Sequence, residues 1–327
     1  MTIPMTILCP GQGAQAVGMG RAWHESSPEA RSVFARADAA LAGDGAARAL
    51  DGPLSEACFN GPEGTLNRTD VSQPALYTAG VASWHGLCAR LGFSPGEAPL
   101  ACAAGLSLGE YTALHVAGAI GFEDGLKLVA LRGRAMQEAA ESRPSGMVAL
   151  IGADEQQAQD LCAAVLDELG EGQGESEGEV LVPANFNAPG QVVVSGTAAA
   201  CDRAESMAGE RSLRASRLSV AGAFHSPIMA RAAERLRAAL SVVEIRRPRC
   251  PVLSNVTGEP HKDDPDSIRE RLVDQLTRPV RWADNGAWIA GHIDPLDAHE
   301  LAPGRTLAGL MRRIDRGTKV TSHDEPN

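Results

Sequence analysis

Aromatic side chains are scarce: four Trp, two Tyr and six Phe in 327 residues. Alanine is abundant and there are 35 Gly. Helices packed through small residues and many glycine-punctuated turns fit this balance, an α/β protein rather than an all-β sandwich. Cysteine has no pattern. Seven are scattered at 9, 58, 88, 102, 162, 201 and 250, none in a C-x-x-C pair. An odd, unpaired set argues against a disulfide framework or a zinc knot and points to a reduced, cytoplasmic setting. No apolar run approaches the ~18–20 residues of a membrane span. Met1–Pro10 lacks a basic region and a cleavage site, so no signal peptide is expected. Positive charge is in deficit, 30 Lys and Arg against 41 Asp and Glu, a net −11. That excludes nucleic acid and anionic membrane as principal partners. What is present, 44% hydrophobic residues over this length, suffices for a large core, with room for a second, smaller one.

Thr6–Cys9 reads as a buried strand that stops at the glycine turn Pro10-Gly11-Gln12-Gly13. Helices are expected over Pro28–Leu41 and Ser72–Leu91. Leu100–Ala104 is a second buried strand, ending in Gly105-Leu106-Ser107-Leu108-Gly109, with a helix from Glu110. Asp124–Ala140 has helical apolar spacing, and Asp124 is placed to cap it. Gly146–Ile151 and Gln191–Ser195 are strand-like, with helices at Ala153–Leu169 and Ala198–Gly209. This alternation marks a small α+β subdomain inserted into the larger unit. Gly170–Glu179 is acidic, low-complexity and expected to be a solvated loop. The last clear element is Arg305–Asp315, and the polar tail from Arg316 is expected to fray.

Gly105-x-Ser107-x-Gly109 between a strand and a helix is the nucleophile-elbow pattern. Glycines allow the sharp turn, and the helix N-terminus faces a developing oxyanion. A serine needs a base. Of eight histidines, His225, on a loop before Pro227 and a following helix, is the best placed. His115 lies within the helix after the elbow and suits packing; the others sit among polar residues and read as surface. In helix Asp124–Ala140, Arg134 belongs with Glu138 on the wet face, whereas Arg132 lines up with Leu128, Ala135 and Ala139. An arginine turned inward requires an anion: either a structural salt bridge or the carboxylate of a substrate held two-pronged.

Together these segments resemble malonyl-CoA:acyl carrier protein transacylases of type II fatty acid synthesis, and the related acyltransferase domains of polyketide synthases. The resemblance runs in order over nearly the whole chain: Pro10-Gly11-Gln12-Gly13-Ala14-Gln15, Gln73-Pro74-Ala75-Leu76, the Ser107 turn with Glu110-Tyr111, Arg132-Gly133 with Met136-Gln137, Asn185-Phe186-Asn187-Ala188-Pro189-Gly190-Gln191, Ala223-Phe224-His225-Ser226-Pro227, Ser254-Asn255-Val256-Thr257-Gly258, Gln275-Leu276 with Pro279-Val280-Arg281-Trp282, and Ala302-Pro303-Gly304 with Leu307.

The resemblance implies an α/β-hydrolase-like core with a mainly parallel sheet, residues 1–143 and 217–315, and an inserted ferredoxin-like subdomain, 144–216, with the site in the cleft between them. It implies Ser107 as the acylated nucleophile and His225 as base and then acid. Arg132 would hold the malonyl carboxylate, the backbone N–H groups of Gln12 and Leu108 would form the oxyanion hole, and the Gln275 main-chain carbonyl would orient His225. Gln73 and an Asn185/Asn187 turn would line the pocket with Leu106. Phe224 would crowd an α-methyl group and select malonyl over methylmalonyl. The substrates would be malonyl-CoA and the phosphopantetheine thiol of a holo acyl carrier protein, with no metal or other bound cofactor, in a cytoplasmic monomer. The carrier is acidic, so a local basic patch is needed; candidates are Arg203/Arg211/Arg214/Arg217, Arg246/Arg247/Arg249 and Arg312/Arg313. The chain departs from the pattern at Leu106, where relatives usually carry His, and at Ala302, where they carry Gly. Rival readings are a serine thioesterase or hydrolase on the same elbow, a trans-acting polyketide acyltransferase, and a carrier-protein binder without catalysis.

Overall fold

The computed structural model describes residues 3–42, 52–170 and 178–326. Strand Met5–Cys9 (β1) leads through helices Arg21–Ser26 (α1), Pro28–Leu41 (α2), Leu54–Asn60 (α3), Glu63–Leu66 (α4) and Thr69–Leu91 (α5) to strand Leu100–Gly105 (β2). Helices Gly109–Val116 (α6) and Phe122–Ser142 (α7) follow. Next come Ser145–Ile151 (β3), Glu155–Gly170 (α8), Leu181–Ala188 (β4), Gln191–Thr197 (β5), Ala198–Glu210 (α9) and Arg214–Arg217 (β6). The chain then runs through helices Ala230–Leu240 (α10), Pro265–Asp274 (α11) and Trp282–His292 (α12), strand Asp297–Leu301 (β7), helix Thr306–Ile314 (α13) and strand Val320–His323 (β8).

Two sheets organise these elements. The first is wholly parallel, in the order β2-β1-β7-β8. Every residue of β1 is buried, as expected of a central strand covered on both faces. Because β1 and β2 are parallel neighbours, the Gly11 turn and the Ser107 turn leave the same sheet edge side by side, where open α/β sheets bind ligands. The second sheet is antiparallel, β4-β5-β3-β6. Its chain order, strand–helix–strand–strand–helix–strand, is that of the ferredoxin-like fold. Val280, just before α12, borders β4: its N–H donates to Ala184 O and its carbonyl accepts from Phe186 N, both at 2.8 Å, while its side chain shares an apolar cluster with Leu8, Cys102 and Ala104 of the first sheet. Helix α5 is buried along most of its length, which its Ala, Gly and Ser positions allow. At Gly86 a Cβ would stand 2.4 Å from the Trp23 ring. Among the described residues no helix is long and apolar enough to cross a membrane.

Four expectations are corrected. Residues Val320–His323 do not fray: β8 pairs in parallel with β7, and the buried Trp23 indole N–H donates to His323 O at 2.8 Å. Short polar strands lack the hydrophobic run that marks a strand in sequence; here the ladder and one buried donor hold the edge. Asn185 and Asn187 lie on a strand, β4, with Ala184, Phe186 and Ala188 turned inward and the two asparagines on the other face. Gly121, not Asp124, caps α7, because the helix starts a turn early with Phe122 buried. His261 and His323 are buried rather than on the surface. The acidic loop expected over Gly170–Glu179 falls, at 171–177, outside the described residues.

Candidate active site

The elbow is built by close approach. A Cβ at Gly105 would meet the Gly109 carbonyl carbon at 1.9 Å, and one at Gly109 would meet Cys9 O at 2.1 Å. Only glycine lets β2, the turn and α6 pack this tightly on β1. Ser107 is held at φ 50° and His225 at φ 56°, left-handed conformations that side-chain-bearing residues adopt at a cost of about 1–3 kcal/mol. Surrounding hydrogen bonds hold them. Ser107 N–H donates to Asn255 Oδ1 at 2.6 Å, and Gln275 Nε2 donates to Ser107 O at 2.9 Å. Asn255 Nδ2 also fixes the start of the turn, two residues earlier, through Gly105 O at 2.7 Å.

Ser107 Oγ lies 2.8 Å from His225 Nε2. The other ring nitrogen, Nδ1, is 2.6 Å from the Gln275 carbonyl oxygen. A carbonyl only accepts, so Nδ1 carries the proton and Nε2 is free to accept from serine. Burial, then the Arg132 charge, push the His225 pKa down to about 4, against the opposing Gln275 hydrogen bond. The imidazole is therefore a neutral base near pH 7.

Arg132 is 1% exposed. Its Nη1 donates to Gln73 Oε1 at 2.8 Å, and its Nη2 to Gln275 Oε1 at 2.9 Å and Ser107 Oγ at 3.2 Å. The guanidinium also lies over the Tyr111 ring, 5.6 Å from its centroid. Among the described residues it forms no ion pair. Burial weakens its hold on the proton. A buried cation with neutral dipoles in contact and its nearest buried carboxylate, Glu110, held off behind Gln275 lacks the compensation of a direct pair. Of the two meanings open for an inward arginine, the structural salt bridge is absent.

A cavity of about 140 Å³ opens beside Ser107 and His225, lined also by Gln12, Leu106, Met136, Met147, Asn185, Asn187, Val193, Leu218, Val220 and Phe224. Its wall is thus drawn from the second sheet, from the turns that leave β1 and β2, and from α7 and the loop of His225, and much of it is apolar. Asn187 Oδ1 is buried with no partner among the described residues. Neither the Gln12 nor the Leu108 backbone N–H has an acceptor there. Gln73 lies behind the cavity, fully buried against Arg132, rather than on its wall. Arg132 is not on the cavity wall either; its Nη2 meets the Ser107 hydroxyl that is. No group of three or more His, Cys, Asp or Glu among the described residues is arranged to hold a metal.

Sequence reasoning assigned no role to Asn255, Glu110 or His261. Glu110 is fully buried, with Oε1 2.6 Å from His261 Nε2 and Oε2 accepting from Gln275 Nε2 at 2.5 Å and Asn255 N at 3.3 Å. The signal was present: a carboxylate opening a helix, Gly109–Val116, whose other residues are mostly apolar or small must find partners inside.

The profile of the family described as acyl transferase domain matches residues 6–303. A malonyl CoA-acyl carrier protein transacylase of Salmonella typhimurium is 37% identical over 97% of this chain and 94% of its own. One from Bacillus subtilis is 35% identical over 98% and 94%. Among solved structures, the malonyl CoA-acyl carrier protein transacylase of Coxiella burnetii superposes with a TM-score of 0.87 at 34% identity, over 99% of this chain and 95% of that one. A malonyl-transacylase solved in complex with a type II PKS acyl-carrier protein gives 0.86 at 34% identity, over 99% and 96%.

Proposed function

The chain belongs to the acyl transferase domain family, among the malonyl-CoA:acyl carrier protein transacylases, and on that footing we propose how its own residues move malonyl from coenzyme A to a carrier-protein thiol. The observation that carries the reading is Arg132, a buried cation with no carboxylate in direct contact among the described residues, 3.2 Å from the Ser107 hydroxyl. A substrate bearing a free carboxylate beside its thioester supplies the missing anion.

His225 Nε2 takes the Ser107 proton as Oγ attacks the thioester carbonyl carbon. The oxyanion is received by the Gln12 and Leu108 backbone N–H groups, which donate to no acceptor among the described residues. The C–S bond breaks and His225 returns the proton to the departing thiolate. The phosphopantetheine thiol then gives its proton to His225 and attacks the malonyl-serine, and Ser107 leaves with that proton. Two thiols, one serine and one histidine balance both halves, so the reading calls on no metal or redox cofactor. The apolar wall of Met136, Met147, Val193, Leu218 and Phe224 disfavours water while the ester waits. Arg132 fixes the malonyl group in one pose.

A division into a large unit, 1–143 with 217–315, and a small one, 144–216, belongs to the same reading, as does a cytoplasmic monomer. For the acidic carrier, Arg211, Arg214 and Arg312 are exposed and form no ion pair among the described residues. Arg203 and Arg217 are engaged by Glu168, Glu210, Asp202 and Glu205. Arg249 is spent on the carbonyls of Ala98, Pro95 and Val116. The relative solved with a type II PKS carrier makes a polyketide carrier the second reading.

The test is incubation with malonyl-CoA without carrier, followed by intact mass and peptide mapping. Malonyl on Ser107, not formed from acetyl-CoA and lost in Arg132→Ala, is the expected result. Coenzyme A release without an adduct would make the protein a thioesterase. The absence of both an adduct and coenzyme A release would sink the reading.

A further inference from the structure

The Glu110–His261 pair lies behind the nucleophile and touches neither the cavity nor, in the reaction above, the substrate. Both side chains are at most 1% exposed. They come from different parts of the chain. Glu110 opens α6 directly after the elbow. His261 ends a tight hairpin in which Leu253 bridges Pro260 and His261 N–H donates to Val252 O at 2.8 Å. The same hairpin carries Asn255, whose backbone N–H and side chain hold Glu110 Oε2 and the Ser107 N–H.

Between this pair and Arg132 stands the Gln275 amide. An amide has one accepting end and one donating end, and which faces which way is set by its neighbours. Arg132 can only donate. Glu110, as a carboxylate, only accepts. Gln275 therefore turns Oε1 to Arg132 at 2.9 Å and Nε2 to Glu110 at 2.5 Å and Ser107 O at 2.9 Å. The second oxygen of Glu110 is occupied by His261, whose Nε2 must carry the proton to donate. Its Nδ1 has no partner among the described residues, so all of the ring's polar bonding is directed at Glu110. Removing Glu110 leaves Gln275 Nε2 only the Ser107 carbonyl and the Asn255 Oδ1 as acceptors, and removing His261 releases the Glu110 carboxylate that Nε2 is held to, so either change loosens the amide. A rotated amide would point its NH2 at the Arg132 guanidinium, donor against donor, and push the guanidinium off its aim.

We infer that Glu110 and His261 are positioning residues: they fix the polarity of Gln275, and through it hold Arg132 where it can receive a substrate carboxylate. The inference rests on the malonyl reading of Arg132. It bears first on the carboxylate grip, because His225 is oriented by the Gln275 main-chain carbonyl, which an amide rotation leaves in place, and Ser107 gives up only the Nε2 bond to its carbonyl while its N–H stays on Asn255.

The experiment compares His261→Leu, His261→Gln and Glu110→Gln with wild type. Two rates are measured at Ser107: acylation by malonyl-CoA, and acylation by p-nitrophenyl acetate, an ester with no carboxylate. His261→Leu and Glu110→Gln should lose about 10-fold or more in malonyl loading, the worth of one hydrogen bond to a charged group, while the neutral ester changes by no more than about twofold. His261→Gln, whose amide N–H can reach as Nε2 does, should restore most of the malonyl rate. Equal losses on both esters, no loss on either, or a Gln variant as poor as the Leu variant would overturn the inference and leave the pair as a tie holding the hairpin to α6. A wild-type protein that reacts with the neutral ester but never takes malonyl overturns the parent reading as well.

Discussion

Arg132 Nη2 stands 3.2 Å from Ser107 Oγ, so the cation rests on the very hydroxyl proposed as the nucleophile. Its field is also one cause, after burial, of the low basicity of His225. A carboxylate arriving at Arg132 draws the guanidinium's hydrogen bonds away from the hydroxyl and offsets its charge, and both changes favour attack. The free enzyme should keep its base deprotonated down to about pH 4. Inactivation of Ser107 by phenylmethylsulfonyl fluoride, a neutral reagent, should therefore stay level from about pH 8 to 5 and fall only near 4. In Arg132→Gln the charge is gone and burial remains, so the acid limb should move up towards the ordinary histidine range. A wild-type limb already in that range, or one unmoved by the substitution, contradicts the coupling.

Phe224 is 4% exposed and lines the cavity beside His225. A ring there leaves little room for a branch at the carbon between carboxylate and thioester. Phe224→Ala should raise methylmalonyl loading relative to malonyl loading by about 10–100-fold, the range one methyl group commands in a pocket. Competition between the two thioesters, read by mass on Ser107, gives the ratio directly. A ratio unchanged from wild type would assign the selectivity elsewhere, with Leu106 the next residue to vary.

The C-terminal strand carries more than its polarity suggests. Ending the chain at Thr318 removes all four β8 pairings and leaves the fully buried Trp23 N–H without His323 O. An orphaned buried donor alone costs about 1–3 kcal/mol. Thermal melts of the truncated and full-length proteins should differ by at least a few degrees, with Ser107 acylation by p-nitrophenyl acetate retained below the melt. Coincident melts would mean the tail is dispensable.

Much of this was legible beforehand, and the rest was hidden for definite reasons. β1, β2 and α7 announce themselves by apolar runs and spacing. The Ser107 turn and the loop of His225 announce themselves by glycine and proline. Arg132 was legible as an inward arginine because its helical stripe is apolar. β4 was hidden because Asn-x-Asn next to Pro-Gly imitates a turn; the strand exists because Ala184, Phe186 and Ala188 have a sheet to pack on. Glu110, Asn255 and His261 were hidden because their meaning is a contact across more than a hundred residues. No local pattern reports that a hairpin near residue 255 will close over a helix beginning at 109.

Glu300, on β7, is buried beneath α13 and accepts from Leu307 N and Ala308 N, both at 2.8 Å. Burial outweighs those bonds and raises its pKa to about 7. The unfolded chain holds that proton only to about pH 4.5, so between these values the folded state binds more protons than the unfolded one. The stability Glu300 contributes is then fully present below about 4.5 and lost as pH rises through about 7, by at most about 3 kcal/mol. Buried histidines act in the opposite sense. His323, pushed down to about 4 by burial first, contributes stability above about 6.5 that is lost on acidification. The wild-type melting curve mixes the two, and only a difference isolates Glu300. Glu300→Gln removes the titration but also an acceptor for the first turn of α13, so the variant should melt below wild type at pH 5. That deficit should shrink steadily towards pH 8, as the wild-type carboxyl is forced to ionise in its buried site. A deficit constant across this range, or one that widens with pH, would mean that the two helix N–H groups hold the carboxylate ionised throughout.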